Sequence, residues 1–418
     1  MNQRPRRAGI SRRTFVTGAL GTGAAVGVGT SLSGCGSPQP APPVAARFIP
    51  FAGAHQTGIT ALPIPERGLL ASFTVQSKDR AALSSALAAL TDEIRGLMAG
   101  KPPEVRDPAY PPVDSGILGK KPPEDNLSVV VGVGASLFDD RFGLADRKPK
   151  ELVTMPFLAN DRLDPKLSHG DLAIVLEAGH ADTVQFALRQ LMRRTRSDLV
   201  LRWIVDGYSR GIGAGPVSEA ATPRNLLGFK DGTANLDVDD AALMDRHVWV
   251  GPEDGEPDWA VGGSYQAVRI IRMFVEFWDR TQLAEQEAII GRRKVSGAPL
   301  GMTDEFADPD YAEDPDGKRI KPDAHIRLAN PRTAETEENL ILRRGFSYSR
   351  GFDGAGRLDQ GLAFISYQRS LELGFLTVQS RLKGEPLEEY ILPVGGGFFF
   401  ALPGVTGPDR FLGDQLVA

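Results

Sequence analysis

One order of elements, strand–helix–strand followed by strand–helix–strand, recurs along this chain and limits its architecture more than any other feature. In the first pass, residues 69–75 (Leu-Leu-Ala-Ser-Phe-Thr-Val) read as a strand. Residues 79–98 read as an amphipathic helix, because Leu83, Leu87, Leu90 and Ile94 recur on one helical face. The Val-rich run 127–133 and residues 171–176 read as strands, 181–196 as a helix and 199–205 as a fourth strand. That is the split-βαβ order of a ferredoxin-like domain. In the second pass, 267–277 reads as a strand, 280–291 as a helix and 361–367 as a strand. Residues 370–382 then read as a helix, with Leu373, Leu376 and Val378 apolar, and 398–401 as a short strand. One strand of the expected four is not visible in this half. The expected class is α+β, with two ferredoxin-like domains and antiparallel sheets in a duplicated, dimeric α/β-barrel-like architecture. The predicted domains are 48–222 and 223–418, meeting near Pro223.

A chain of 418 residues is long enough to bury such a core. Its net charge of −5, without a long basic run, gives no support for a general nucleic-acid binder. A single cysteine, Cys35, excludes a disulfide framework and any thiolate-rich metal site.

The N-terminus reads as a targeting segment. Arg4, Arg6, Arg7, Arg12 and Arg13 precede an uncharged, Gly/Ala/Val-rich stretch over 15–32. Ser11-Arg12-Arg13-Thr14-Phe15-Val16 resembles a twin-arginine signal, which carries folded proteins. A general secretory signal or an N-terminal anchor is the alternative. Leu32-Ser33-Gly34-Cys35 resembles a lipobox that closes the signal segment 1–35, which implies cleavage before Cys35 and a lipid on its thiol; the alternative is a cleavage region in which Cys35 is incidental. Residues 36–47 form a Pro-rich tether. The expectation is an exported, extracytoplasmic protein that meets a membrane only through that lipid.

Three places along the mature chain could carry chemistry. Gly228-Phe229-Lys230-Asp231-Gly232-Thr233 fixes one carboxylate between two glycines, where backbone can approach a ligand closely. An ordinary Asp-Gly turn is the other reading. His325 lies in the long, polar, Asp/Pro-rich stretch 297–339, and stretches of that length are usually functional or disordered. One neutral imidazole without cysteines suits a cofactor that needs a single protein ligand, haem being the leading example. A solvated loop histidine is the alternative. Zinc has little support, because Glu177 and His180 lack a second histidine pair. Arg343 and Arg344 end an apolar run, and Arg292 follows a predicted helix. A fixed guanidinium could stabilise charge on a cleaving peroxide, and Arg292 could pair with a haem propionate. The alternatives are surface charges flanking a turn and a cation favoured at a helix C-terminus.

Together these residues resemble the dye-decolorizing (DyP-type) haem peroxidases. Gly228-Phe229-Lys230-Asp231-Gly232 matches that family's Gly-x-x-Asp-Gly signature, and His325 and Arg343 stand at its proximal-histidine and distal-arginine positions. Further matches are Phe51 with His55-Gln56 and Gly58-Ile59, Gly262 to Gln266, Glu276 to Thr281, and Gly395 to Pro403. The branch resembled is the exported, twin-arginine type, whose members accompany ferrous-iron uptake systems and have been described as deferrochelatases.

The resemblance implies one haem b per chain, ligated by His325. It implies hydrogen peroxide as oxidant, Asp231 as general acid–base, and Arg343 as stabiliser of the departing hydroxide. A donor (a dye, phenolic or porphyrinogen) would then be oxidised in one-electron steps through a ferryl intermediate. Glu389 matches the proximal carboxylate that accepts from the ligand's Nδ1–H, and Arg292 the propionate partner. Phe364 and Phe375 are pocket candidates, with core packing as the other role. Gly345 stands where another branch has a distal asparagine. Trp203, Trp249, Trp259 and Trp278 are candidates either for packing or for radical relay to bulky donors. Iron release from haem and a non-catalytic haem-binding surface lipoprotein are the competing functions. Iron-uptake or extracellular oxidase systems are the expected partners.

Overall fold

The computed structural model describes residues 49–122, 124–210 and 222–418. The expected signal, the Cys35 lipobox and the Pro-rich tether lie outside them. The strands are β1 (Arg67–Val75), β2 (Ser128–Gly134), β3 (Leu172–Ala178), β4 (Leu199–Tyr208), β5 (Ser264–Met273), β6 (Leu342–Arg343), β7 (Phe346–Phe352), β8 (Leu358–Gln368) and β9 (Ile391–Ala401). The helices are α1 (Arg80–Met98), α2 (Ala181–Arg194), α3 (Ala241–His247), α4 (Val275–Trp278), α5 (Leu283–Ile290), α6 (His325–Ala329) and α7 (Thr377–Leu382).

In the first half the antiparallel order is β4-β1-β3-β2. The second half repeats it as β9-β5-β8-β7, so the duplication expected from the sequence is real. Two short seams close the sheets into a ring. Gly132–Gly134 of β2 pairs with β9, and Gly207 and Tyr208 of β4 pair with Tyr348 and Ser347 of β7. Closure leaves these strands few open edges.

Alternation along the strands divides the core. Leu69, Ala71 and Phe73 of β1 pack with Leu83, Leu87, Leu90 and Ile94 of α1. The intervening Leu70 joins Val130, Val175 and Val205 and, from the second half, Val268, Ile270 and Ile365. Asp79 caps α1 by accepting from the Ala82 N–H at 2.8 Å.

The early His-Gln motif serves the β2–β9 seam. Gln56, buried, donates from Nε2 to the carbonyls of Val131 and Leu402, both at 2.8 Å, and accepts from the Val131 N–H at 2.8 Å. His55 stacks on Trp249, with ring centroids 4.0 Å apart. All four tryptophans are buried. Trp203, Trp259 and Trp278 donate their indole N–H to the carbonyls of His169, Arg147 and Leu227. These contacts are those of packing residues.

The second half departs from its sequence reading in detail. The strand not visible there is β7. With β6 it runs along β8 in one register (Leu342 opposite Tyr367, Arg343 opposite Ser366, Phe346 opposite Ala363). Arg343, Arg344 and Gly345, at the junction of β6 and β7, hide the alternation of the combined run. β5 stops at Met273, where α4 begins, so 267–277 overran it. β9 starts at Ile391, well before 398, because Pro393 and three glycines dilute its period. The helix read at 370–382 opens as a π turn over Glu372–Leu376, with the Leu376 N–H donating to the Leu371 carbonyl at 2.9 Å.

Candidate active site

Glycines shape the loop that presents Asp231. Gly228 and Gly232 have φ of +86° and +132°, which other residues rarely adopt. The Asp231 N–H donates to the Pro223 carbonyl at 2.8 Å, and the Trp278 indole fixes Leu227 just before the turn. On either side of Asp231, Lys230 and Thr233 bind the Glu305 carboxylate, the latter at 2.9 Å. Glu305 belongs to the 297–339 stretch, so the Asp231 loop is stapled to the segment that carries His325.

That stretch is ordered by local polar contacts. The Asp314 carboxylate accepts from the N–H groups of Lys318 and Ile320 at 2.8 and 2.9 Å. Arg327, on α6, donates to the carbonyls of Asp314 and Ile320 at 2.9 Å each. His325 thereby opens α6 in a fixed place.

His325 Nδ1 donates to Glu385 Oε2 at 2.7 Å. A carboxylate can only accept here, so the proton belongs on Nδ1 and Nε2 is the atom left for another partner. Burial disfavours the imidazolium, but Glu385, reinforced by Asp231, outweighs it and holds the His325 pKa above its ordinary value. This corrects the expectation for Glu389. Glu389 is exposed at the end of the short turn Pro386–Glu389, whereas Glu385, just before that turn, is buried. The helical turn between them points the two carboxyls apart, and sequence spacing alone does not distinguish them.

Arg343 Nη1 donates to Asp231 Oδ1 at 2.5 Å. Its neighbour Arg344 points the other way, as strand alternation requires. It is buried against Glu177, Nε to Oε2 2.8 Å, and donates to the Ala61 carbonyl. Neither arginine is the surface charge that the alternative reading allowed. At Gly345 a Cβ would lie 2.7 Å from the Ala363 carbonyl oxygen, so the close approach of β7 to β8 excludes a side chain there.

Two cavities meet at the Asp231–Arg343 pair, which lines both; His325 lines only the larger. The larger cavity also takes in Phe364, Phe375 and Arg292. Phe375 is both core and wall: it is buried, and its ring centroid lies 5.9 Å from that of Phe364. Buried Arg292 donates to the carbonyls of Gly297 and Glu305 at 2.7 and 2.9 Å, and no carboxylate pairs with it among the described residues. Burial, and then the nearby Arg332, lower its pKa. Arg332 and Tyr311 line the same cavity, and the Tyr311 hydroxyl is buried without a standard hydrogen bond.

Sequence reading missed several of these residues. Glu385, Arg332 and Tyr311 carry no motif, and only the fold brings them to the cavity that His325 lines. It also missed the wall from the first half. Ala159 and Asn160 line the cavity, with Asn160 donating to the Ile391 carbonyl at 2.9 Å and Asp161 pairing with buried Arg269.

The donor set tests what the cavity can hold. Among the described residues no cluster of three or more His, Cys, Asp or Glu side chains could hold a metal ion. One carboxylate-backed imidazole, apolar walls, two arginines and a buried phenol beside Arg332 fit a flat apolar group with one metal and anionic substituents.

A duplicated ferredoxin-like barrel with such a site, and an Asp–Arg pair beside it, defines a class of haem-dependent oxidoreductases. The chain belongs to the Dyp-type peroxidase family: the model "Dyp-type peroxidase, N-terminal" matches residues 56–209 and "Dyp-type peroxidase, C-terminal" matches 222–406. It is 52% identical over 369 residues to a deferrochelatase of Escherichia coli O6:K15:H31, covering 88% of this chain and 87% of the relative. Ferric DtpA from Streptomyces lividans superposes with a TM-score of 0.78 at 34% identity, covering 88% of this chain and 96% of that one. A DyP-type peroxidase from Streptomyces coelicolor does so with a TM-score of 0.78 at 35% identity, over 88% and 96%. The protein is a peroxidase, reducing hydrogen peroxide at the expense of a reducing substrate.

Proposed function

We propose that the larger cavity holds one haem b per chain, with His325 Nε2 as the iron's protein ligand and Asp231 and Arg343 as the groups that act on peroxide. The observation that carries this reading is the placement of a Glu385-backed imidazole and an Asp–Arg pair on one cavity. Bound haem supplies the redox centre that accepts peroxide and draws single electrons from the donor. Glu385 holds the His325 ring and raises its donor strength. The Asp231 carboxylate takes a proton from one peroxide oxygen and returns it to the other. The Arg343 guanidinium keeps that carboxylate aimed and offsets negative charge on the leaving oxygen. Arg292, Arg332 and Tyr311 receive the anionic edge of the group.

Haem absorbance per chain tests the ligand. His325→Ala is expected to abolish or severely weaken loading, and unchanged loading refutes the assignment. Asp231→Ala and Arg343→Leu are expected to keep haem but slow the peroxide reaction by roughly 10²–10⁴-fold. A full-speed reaction in Asp231→Ala removes it as the base.

The deferrochelatase name of relatives at about half identity favours a second reading, in which iron is released from haem in the same pocket. Incubation of haem, reductant and pure protein separates the two, since only iron release yields free protoporphyrin. In either case we read residues 1–35 as an export signal, Cys35 as the site of a lipid anchor and iron-uptake proteins as partners. Fractionation and mass analysis of the mature N-terminus test the first two, and co-purification tests the third.

A further inference from the structure

The two-residue strand β6 is very short for a segment that must place Arg343. On one side, Arg343 and Leu342 pair with β8. On the other no strand lies among the described residues. The side chain of Asn235 takes that place: its Nδ2 donates to the Arg343 carbonyl at 2.8 Å, and its Oδ1 accepts from the Arg343 N–H at 2.8 Å. One carboxamide thus satisfies both main-chain groups of the residue, as a neighbouring strand would. Asn235 is itself tied to the Asp231 turn, because its N–H donates to the Gly232 carbonyl at 3.1 Å. The Asp231 loop and Arg343 are therefore joined twice, by an ion pair through side chains and by this two-point clamp through the backbone. Asn235 also lines the smaller of the two cavities that meet at the pair.

We infer that Asn235 is a positioning residue for the peroxide reaction, setting the place of the Arg343 guanidinium relative to Asp231. The inference rests on the roles proposed above for Asp231 and Arg343. An ion pair alone permits many mutual arrangements of two flexible side chains. Clamping the Arg343 backbone to the turn that bears Asp231 removes most of them, and small displacements of such groups are costly in rate. Asn is suited to the task because it offers a donor and an acceptor on one short side chain. Asp lacks the donor, and Ala lacks both.

The test is the second-order rate constant for hydrogen peroxide with haem-loaded protein, normalised to bound haem, beside the KM for the reducing substrate. Asn235→Ala is expected to lower the peroxide rate constant by roughly 10- to 100-fold, with haem loading and donor KM retained. Asn235→Asp keeps one bond and should fall between Ala and wild type. In an Arg343→Leu background, Asn235→Ala should cost little more, since a residue acting through Arg343 has nothing left to position. A peroxide rate constant within twofold of wild type in Asn235→Ala overturns the inference. So does an additive loss in the double variant, or a loss confined to haem loading. If Asn235→Ala does not fold, Asn235→Ser carries the same comparison. If Arg343→Leu itself reacts at full speed, the role given to Arg343 fails instead.

Discussion

Glu385, not the later Glu389, holds His325: the carboxylate oxygen lies 2.7 Å from Nδ1 and is buried, while Glu389 faces solvent. Two variants separate these carboxylates. Glu385→Ala is expected to lower haem affinity or turnover by about 10- to 100-fold, the usual effect of losing the hydrogen-bond partner of a ligating histidine. Glu389→Gln is expected to match wild type. Haem titration and peroxide-dependent dye oxidation on both proteins check the pair.

Gly345 is expected to resist substitution. With a Cβ at 2.7 Å from the Ala363 oxygen and 3.2 Å from the Phe364 Cα, Gly345→Ala pushes the β6–β7 strand off β8. Backbone atoms are the obstacle, so the cost is about 1–3 kcal/mol. The same shift displaces Arg343, two residues away. Thermal unfolding should show a lower midpoint, and the peroxide reaction should slow in parallel. Gly345→Asn, which places a longer side chain on the same Cβ, should fare no better.

The β2–β9 seam has its own sensitive residue. Gln56→Leu deletes three buried hydrogen bonds and orphans the Val131 N–H and the Leu402 carbonyl, while the Val131 carbonyl keeps the Leu402 N–H at 3.0 Å. Stability should fall by about 3 kcal/mol, read as a shift in the denaturant midpoint. Haem bound to the folded fraction should keep its spectrum, because Gln56 lines neither cavity at the Asp231–Arg343 pair.

A pH effect is expected far from the site. The His180 pKa is raised above 6.5, chiefly by its hydrogen bond to Asp125 at 2.7 Å. A raised value means that the folded state holds the proton more tightly than the unfolded chain. The contribution is therefore full below about pH 6.5 and fades as pH rises through the folded pKa. The ring is largely exposed, so solvent weakens the effect. NMR titration of His180 should give a raised value that returns toward the ordinary one in Asp125→Asn.

The sequence carried the duplicated topology because α1, α2 and the flanking strands have clean periods in Leu83, Leu87 and Leu90 or in the Val-rich β2. It pointed to Asp231, His325 and Arg343 because Asp231 lies in a glycine-flanked motif and all three stand at positions of the DyP resemblance. It failed where periodicity is broken for a physical reason. The β6–β7 run is interrupted by Arg343, Arg344 and Gly345, and β9 by Pro393 and its glycines. It failed also where a partner is chosen by three-dimensional direction, as with Glu385 over Glu389. Asn235 acts through a clamp on a residue distant in sequence, which leaves no trace in local pattern.

The two copies of the fold are put to unequal use. His325 and Arg343 both lie on the connection from β5 to β7, whereas the matching connection from β1 to β2, residues 76–127, contributes no described residue to either cavity at the Asp231–Arg343 pair. Beyond α1 that connection is largely exposed, Val105 fully so. It is thus a natural handle for the engineer: a tag, a fluorophore or a tether to an electrode can be attached there, on the copy that has been spared from chemistry.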